Sequence, residues 1–168
     1  MRKLNILKTI VDILWIISIL SAPLVTGIIC SIIVDSSAFG IPIKINGFLY
    51  DKFNSDTKLV LIASMVSYLL LVYVIYIFKT ILREFQKTKI FSSIVSNGFN
   101  KMGVILLISS LLTGVPTFLY SVLSKQKFEL EIGLSPFLLM LCFGLFFMVL
   151  SEVFKIANTA KQENELTV

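Results

Sequence analysis

Histidine is absent from this 168-residue chain. That removes the side chain most used as a general base, a triad partner or a metal ligand near neutral pH. Cysteine occurs twice, at Cys30 and Cys142, and two isolated thiols make no zinc site. No glycine-rich phosphate loop is present. With no catalytic constellation in view, neither an enzyme activity nor a cofactor or metal is expected. Charge is scarce as well: 15% of residues are charged, against about 25% in ordinary soluble domains. Four stretches hold no charge at all: Ile13–Val34, Leu59–Phe78, Met102–Ser124 and Ile132–Ser151.

What fills those stretches is apolar, and 57% of the chain is hydrophobic. A helix rises about 1.5 Å per residue and the hydrocarbon core of a bilayer is about 30 Å thick, so about 20 apolar residues cross it. Each run meets that length. The expectation is an all-α membrane protein, a single domain over residues 1–168 with four transmembrane helices at approximately 10–34, 58–80, 102–124 and 135–157, and a tail at 158–168. The basic N-terminus followed by an apolar run has the look of a signal peptide. The run is longer than a signal core, however, and Ser21-Ala22-Pro23 is a poor cleavage site, so a retained first helix is expected.

The net charge of +5 is distributed unevenly. Ten of the fifteen Lys and Arg residues lie at the N-terminus, between the second and third runs, and after the fourth. The acidic residues divide evenly between the two sides. By the positive-inside rule both termini and the middle loop are cytoplasmic, which makes this a multi-pass cell-membrane protein with the N- and C-termini inside. The basic excess then faces anionic lipid, and no direct nucleic-acid contact is expected.

Inside the runs no ionisable residue marks an ion or proton path. Asp12 and Glu152 stand at the inner ends of the first and fourth runs, and Glu152 precedes Lys155 by three residues, suited to a local ion pair. Trp15 belongs at the cytoplasmic interface. Pro23 and Pro116 fall mid-span and predict bends. Gly27 and Ser31 form a small-residue stripe suited to close helix contact or to a homo-oligomer. Ser109, Ser110, Thr113 and Thr117 either line a polar groove or bond backbone and tighten packing. Cys30 and Cys142 both fall in the outer half of the membrane. A disulfide stays open, and buried free thiols suit the apolar setting.

The connections carry their own signals. Isoleucines alternate through Ile41, Ile43 and Ile45 up to Asn46-Gly47, which predicts a small external β-hairpin in the first loop. Ile81, Leu82 and Phe85 keep helical spacing beyond the second run, so that helix continues past the membrane. Ser92 or Ser93 suits an N-cap, and Pro136 suits a first turn. Ile77-Phe78-Lys79 and Val153-Phe154-Lys155 end the second and fourth helices alike. Two parallel hairpin repeats explain that likeness, and so does chance. The chain ends Gln162-Glu163-Asn164-Glu165-Leu166-Thr167-Val168, polar and then abruptly apolar. Leu166 stands where a PDZ ligand needs Ser or Thr, so a docking peptide of another kind or a solvated tail remains.

This ending resembles that of a bacterial membrane family, the domain of unknown function 2975 (DUF2975). Ile90-Phe91, followed about twelve residues on by Met102-Gly103, is similar to the family's hydrophobic-Phe and hydrophobic-Gly steps. Ile90 replaces the family's proline, and Val95 its usual asparagine. The four-helix plan matches too, so the resemblance covers essentially the whole chain. It implies an inner-membrane protein without an established reaction, often encoded beside small helix-turn-helix regulators. By that analogy the expected role is a non-enzymatic regulatory or interaction partner of such a regulator. The contact residues it implies are Phe91 and the basic middle loop, with Glu163, Glu165, Leu166, Thr167 and Val168. The alternative is a small transporter or export-accessory protein that uses the bent first and third helices.

Overall fold

Apolar runs bounded by charge become helices because a backbone in hydrocarbon must satisfy its own hydrogen bonds. The computed structural model describes residues 2–34, 43–45, 48–50, 54–87, 90–123 and 135–166. It contains α1 (Arg2–Val34), β1 (Ile43–Ile45), β2 (Phe48–Tyr50), α2 (Ser55–Gln86), α3 (Ser93–Leu123) and α4 (Pro136–Leu166). All four helices are long and apolar enough to cross a membrane. β1 and β2 pair antiparallel, with Ile43 opposite Tyr50 and Ile45 opposite Phe48. Pro42 and the Asn46-Gly47 step lie outside the described residues.

Every helix exceeds its apolar run at the end that carries the termini. α1 begins at Arg2 and α4 continues to Leu166, because the flanking residues are mostly good helix formers. Ser92 caps α3, its Oγ accepting from Val95 N at 3.4 Å, and Ser135 caps α4, accepting from Leu138 N at 3.3 Å. Pro136 opens α4 where a missing N–H costs nothing. Pro23 and Pro116 sit inside unbroken helices.

Neighbours in sequence are neighbours in space: α1 packs on α2, α2 on α3, and α3 on α4. The buried core joins the last three helices and includes Ile77 and Ile81 of α2 and Val95, Phe99, Met102 and Leu106 of α3. Phe147, Leu150 and Phe154 of α4 pack against it. α1 stands at the edge with most of its apolar surface uncovered, Leu20 being 76% exposed. An uncovered apolar surface is what a lipid-facing helix presents.

Helices in lipid gain little from hydrophobic burial against each other, so close packing and hydrogen bonds hold them together. Gly103 and Gly144 are the point of closest approach. A Cβ built on Gly103 falls 2.7 Å from Gly144 O, and one on Gly144 falls 3.0 Å from Gly103 O. Gly114 is covered in the same way by the ring of Phe137. Two reciprocal serine pairs add to this. Ser67 Oγ donates to Ser109 O, and Ser109 Oγ donates to Ser67 O, both at 3.1 Å. Ser96 and Ser151 do the same at 3.1 and 2.8 Å. The first pair joins α2 to α3, the second α3 to α4, and all four serines are buried. Each such bond is worth about 0.6 kcal/mol on average.

Two expectations are corrected. Gly27 meets nothing within 4 Å and Ser31 donates to Gly27 O of its own helix, so that stripe makes no helix contact. Spacing marked it as a candidate, but the face turned toward α2 is a different one. Cys30 and Cys142 are free thiols but exposed rather than buried, because they too lie on uncovered helix faces. For the hydroxyls of α3, the reading in which they bond backbone and tighten packing is the one observed. Besides Ser109, Ser110 donates to Leu107 O at 2.8 Å, Thr113 to Ser109 O at 3.0 Å and Thr117 to Thr113 O at 2.7 Å.

Two substitutions test the packing. Gly103→Ala is expected to destabilise the detergent-solubilised protein by about 1–3 kcal/mol, since backbone and Met148 must move. Gly27→Ala is expected to leave stability unchanged or raise it, because alanine favours a helix over glycine by roughly 0.5–1 kcal/mol. Thermal unfolding followed by circular dichroism ranks the two.

Candidate functional site

Charge gathers where α1 begins, α2 ends, α3 begins and α4 ends. The structure builds this end from three parts. The first is a latch between α1 and α2. Lys79 Nζ lies 3.1 Å from Asp12 Oδ1 and 4.0 Å from the centroid of the Trp15 ring. Asp12 Oδ1 is buried and receives no aligned hydrogen bond, so the ammonium charge itself is its compensation. The cation over the indole face adds a further attraction. Lys8 Nζ donates to Gln86 Oε1 at 2.7 Å, and Gln86 Nε2 donates to Asn5 Oδ1 at 2.9 Å, extending the seam to the end of α2.

The second part is an aromatic cluster. Phe154 of α4 is its hub, with ring centroids 5.3 Å from Phe99, 6.0 Å from Phe85 and 6.1 Å from Phe91. Phe99 also stacks on Phe147 at 5.8 Å. Rings at such separations add about 0.5–1.5 kcal/mol each beyond the area they bury. Phe91 thus ties the connection between α2 and α3 to α4, while staying 45% exposed. Near the end of α2, the Glu84 carboxylate is buried and pairs with Lys87 Nζ at 2.8 Å.

The third part is the far end of α4. Glu152, Lys155, Ile156, Thr159, Ala160 and Glu163 line a shallow groove of about 330 Å³ along it. Glu152 and Lys155 are 3.9 Å apart and both well exposed, a weak surface pair. Glu163 is exposed. Glu165 and Leu166 belong to α4 by their backbone, and Thr167 and Val168 lie outside the described residues. Phe91 meets α4 at Phe154, nine positions and about 14 Å of helical rise before Glu163. Phe91 and Glu163 therefore meet along one helix but not at one contact point.

Sequence reasoning missed Phe154 as the hub and Glu84 as a buried acid. Both follow Ile77 and Ile81 or Leu150 at helical spacing, which was the available signal. It also left Asp12 without a partner, although Asp12 and Lys79 border their apolar runs at the same end. Lys79 and Lys155, alike in their sequence setting, lie inside α2 and α4 and diverge in role: Lys79 pairs across to α1, whereas Lys155 pairs within α4.

Phe154→Ala is expected to cost about 3 kcal/mol, the lower range for a large aromatic, because the hub is only partly buried. Phe91→Ala removes one exposed partner and is expected to cost about 1 kcal/mol. It should also speed proteolysis at the connection between α2 and α3. Unfolding midpoints and limited trypsin digestion of both variants report the difference.

No curated protein and no solved structure matches the chain. The family described as a protein of unknown function, DUF2975, matches residues 16–168. That span takes in the last three apolar runs and the first from Ile16 on, with the Phe91 connection and the C-terminal extension. A multi-pass membrane protein with this helix plan and this ending belongs to the DUF2975 family.

Proposed function

We propose that the protein is a non-enzymatic interaction partner that receives a cytoplasmic protein at the end carrying both termini. The observation behind this is the reach of the helices past their apolar runs. The run of α4 stops at Ser151, yet the helix continues to Leu166. That is a further stretch of about 22 Å at 1.5 Å per residue. α2 adds Lys79 to Gln86, and α3 adds Ser93 to Lys101 before its apolar run. Crossing the membrane requires none of this length. Ten of the fifteen basic residues lie at this end, and the positive-inside rule assigns it to the cytoplasm.

The partner proposed is a small helix-turn-helix regulator, the class the family resemblance implies. Phe91 and the exposed face of α4 through Glu163 supply the contact surface. The transporter alternative gains nothing from α3, whose Thr113 and Thr117 hydroxyls donate to its own carbonyls. Tagged full-length protein, isolated from intact membranes, is expected to bring down a DNA-binding regulator identifiable by mass spectrometry. Removing residues 163–168 is expected to abolish recovery. Recovery of no regulator by the full chain would overturn the proposal.

A further inference from the structure

A groove of about 320 Å³ lies between α2 and α3, with Tyr73, Tyr76 and Ile81 on one wall and Asn97, Gly98 and Lys101 on the other. Its volume is at the small end of ligand sites, which run from about 300 to 1,000 Å³. Three observations define what it suits.

The first is depth. The uncharged run of α2 ends at Phe78 and that of α3 begins at Met102, so the groove straddles the step from apolar to charged sequence. Tyr73 and Tyr76 stack at 6.1 Å, and Trp15 lies 6.3 Å from Tyr76. Such aromatic belts sit at the level of lipid headgroups.

The second is charge. Lys101 is exposed and forms no ion pair among the described residues. No Asp or Glu lines the groove. Lys79, at the same level, is already held by Asp12 and Trp15. Asn97 stands one turn before Lys101 on the same side of α3 and offers an amide donor.

The third is shape. A Cβ on Gly98 would fall 2.9 Å from Ile81 Cγ1. Glycine therefore lets Ile81 lie against the α3 backbone, which brings the wall carrying the tyrosines close to the one carrying Lys101.

We infer that this groove binds the headgroup of an anionic phospholipid. The phosphate is held by Lys101 and Asn97, and the glycerol and upper acyl chains lie along Tyr73 and Tyr76 toward the bilayer. The lipid site stands independently of any protein partner at the far end of α4.

Trp15 is the chain's one tryptophan, and its contact with Tyr76 makes it a reporter beside the groove. The full-length protein in phosphatidylcholine nanodiscs is titrated with phosphatidylglycerol or phosphatidylcholine carrying brominated acyl chains, and quenching of Trp15 is read. Phosphatidylglycerol is expected to quench at about fivefold lower mole fraction, the preference one lysine near an anionic lipid supplies. Lys101→Gln is expected to abolish that preference, and Lys161→Gln to leave it intact. Gly98→Leu, which must push Ile81 away from α3 and so alter the groove, is expected to abolish it as well, provided its circular dichroism matches that of the parent. Equal quenching by the two lipids, or a preference that survives Lys101→Gln, overturns the site. Loss of the preference on adding millimolar inorganic phosphate at constant ionic strength overturns the lipid assignment in favour of a free anion.

Discussion

The approach of the α3 and α4 backbones at Gly103 and Gly144 is the constraint on which the rest of the packing depends. Lipid tails are as apolar as leucine, so these helices have no solvent to escape by associating. Only contact without intervening side chains brings enough atoms together. Ser96 precedes Gly103 by the same two turns by which Ser151 follows Gly144. In an antiparallel pair that places the two serines level with each other, and the hydroxyl of each donates a hydrogen bond to the carbonyl of the other. Phe99 and Phe147 stack between the two contacts. The glycine contact, the ring stack and the serine pair thus lie along a single seam with one register.

The edge between α1 and α2 is built on another basis. It has no glycine contact, and α1 offers only Val11 and Ile32 as buried apolar side chains. Polar ties span its whole length instead. The Asp12–Lys79 pair lies near one end and the Ser21–Tyr68 hydrogen bond at 2.6 Å near the middle. At the other end Lys58 Nζ donates to Ile33 O at 2.9 Å, closing one of the open carbonyls that end α1. α1 is fastened at points, whereas α2, α3 and α4 are packed along faces.

The helices were legible because an uncharged run of membrane length leaves the backbone one solution. The cap at Ser92 or Ser93 and the first-turn place of Pro136 were legible from local chemistry, and the extension of α2 from the spacing of Ile81, Leu82 and Phe85. The further reach of α4 was not. An apolar span and a helix are different objects, and the alanine, lysine, glutamine and glutamate after Phe154 favour a helix whether or not lipid surrounds them. Which small residues meet was also hidden. Gly27 has a suitable neighbour at four-residue spacing and touches nothing, while Gly103 and Gly144 lack that pattern and touch each other. Contact between helices depends on how each is rotated about its axis, and one sequence read along its length does not record that rotation. The Phe91 candidate was legible as unusual, but its attachment to Phe154 required the fold.

The two serine pairs also bear on how the chain is assembled as it is made. α3 is the only helix with a pair on each side, Ser109 toward α2 and Ser96 toward α4. Synthesis runs from the N-terminus, so α3 enters the membrane when α2 is present and α4 is not. Ser109 finds its partner at once. Ser96 and the bare backbone at Gly103 stay open to lipid until translation delivers α4, which then completes the seam that fixes the others.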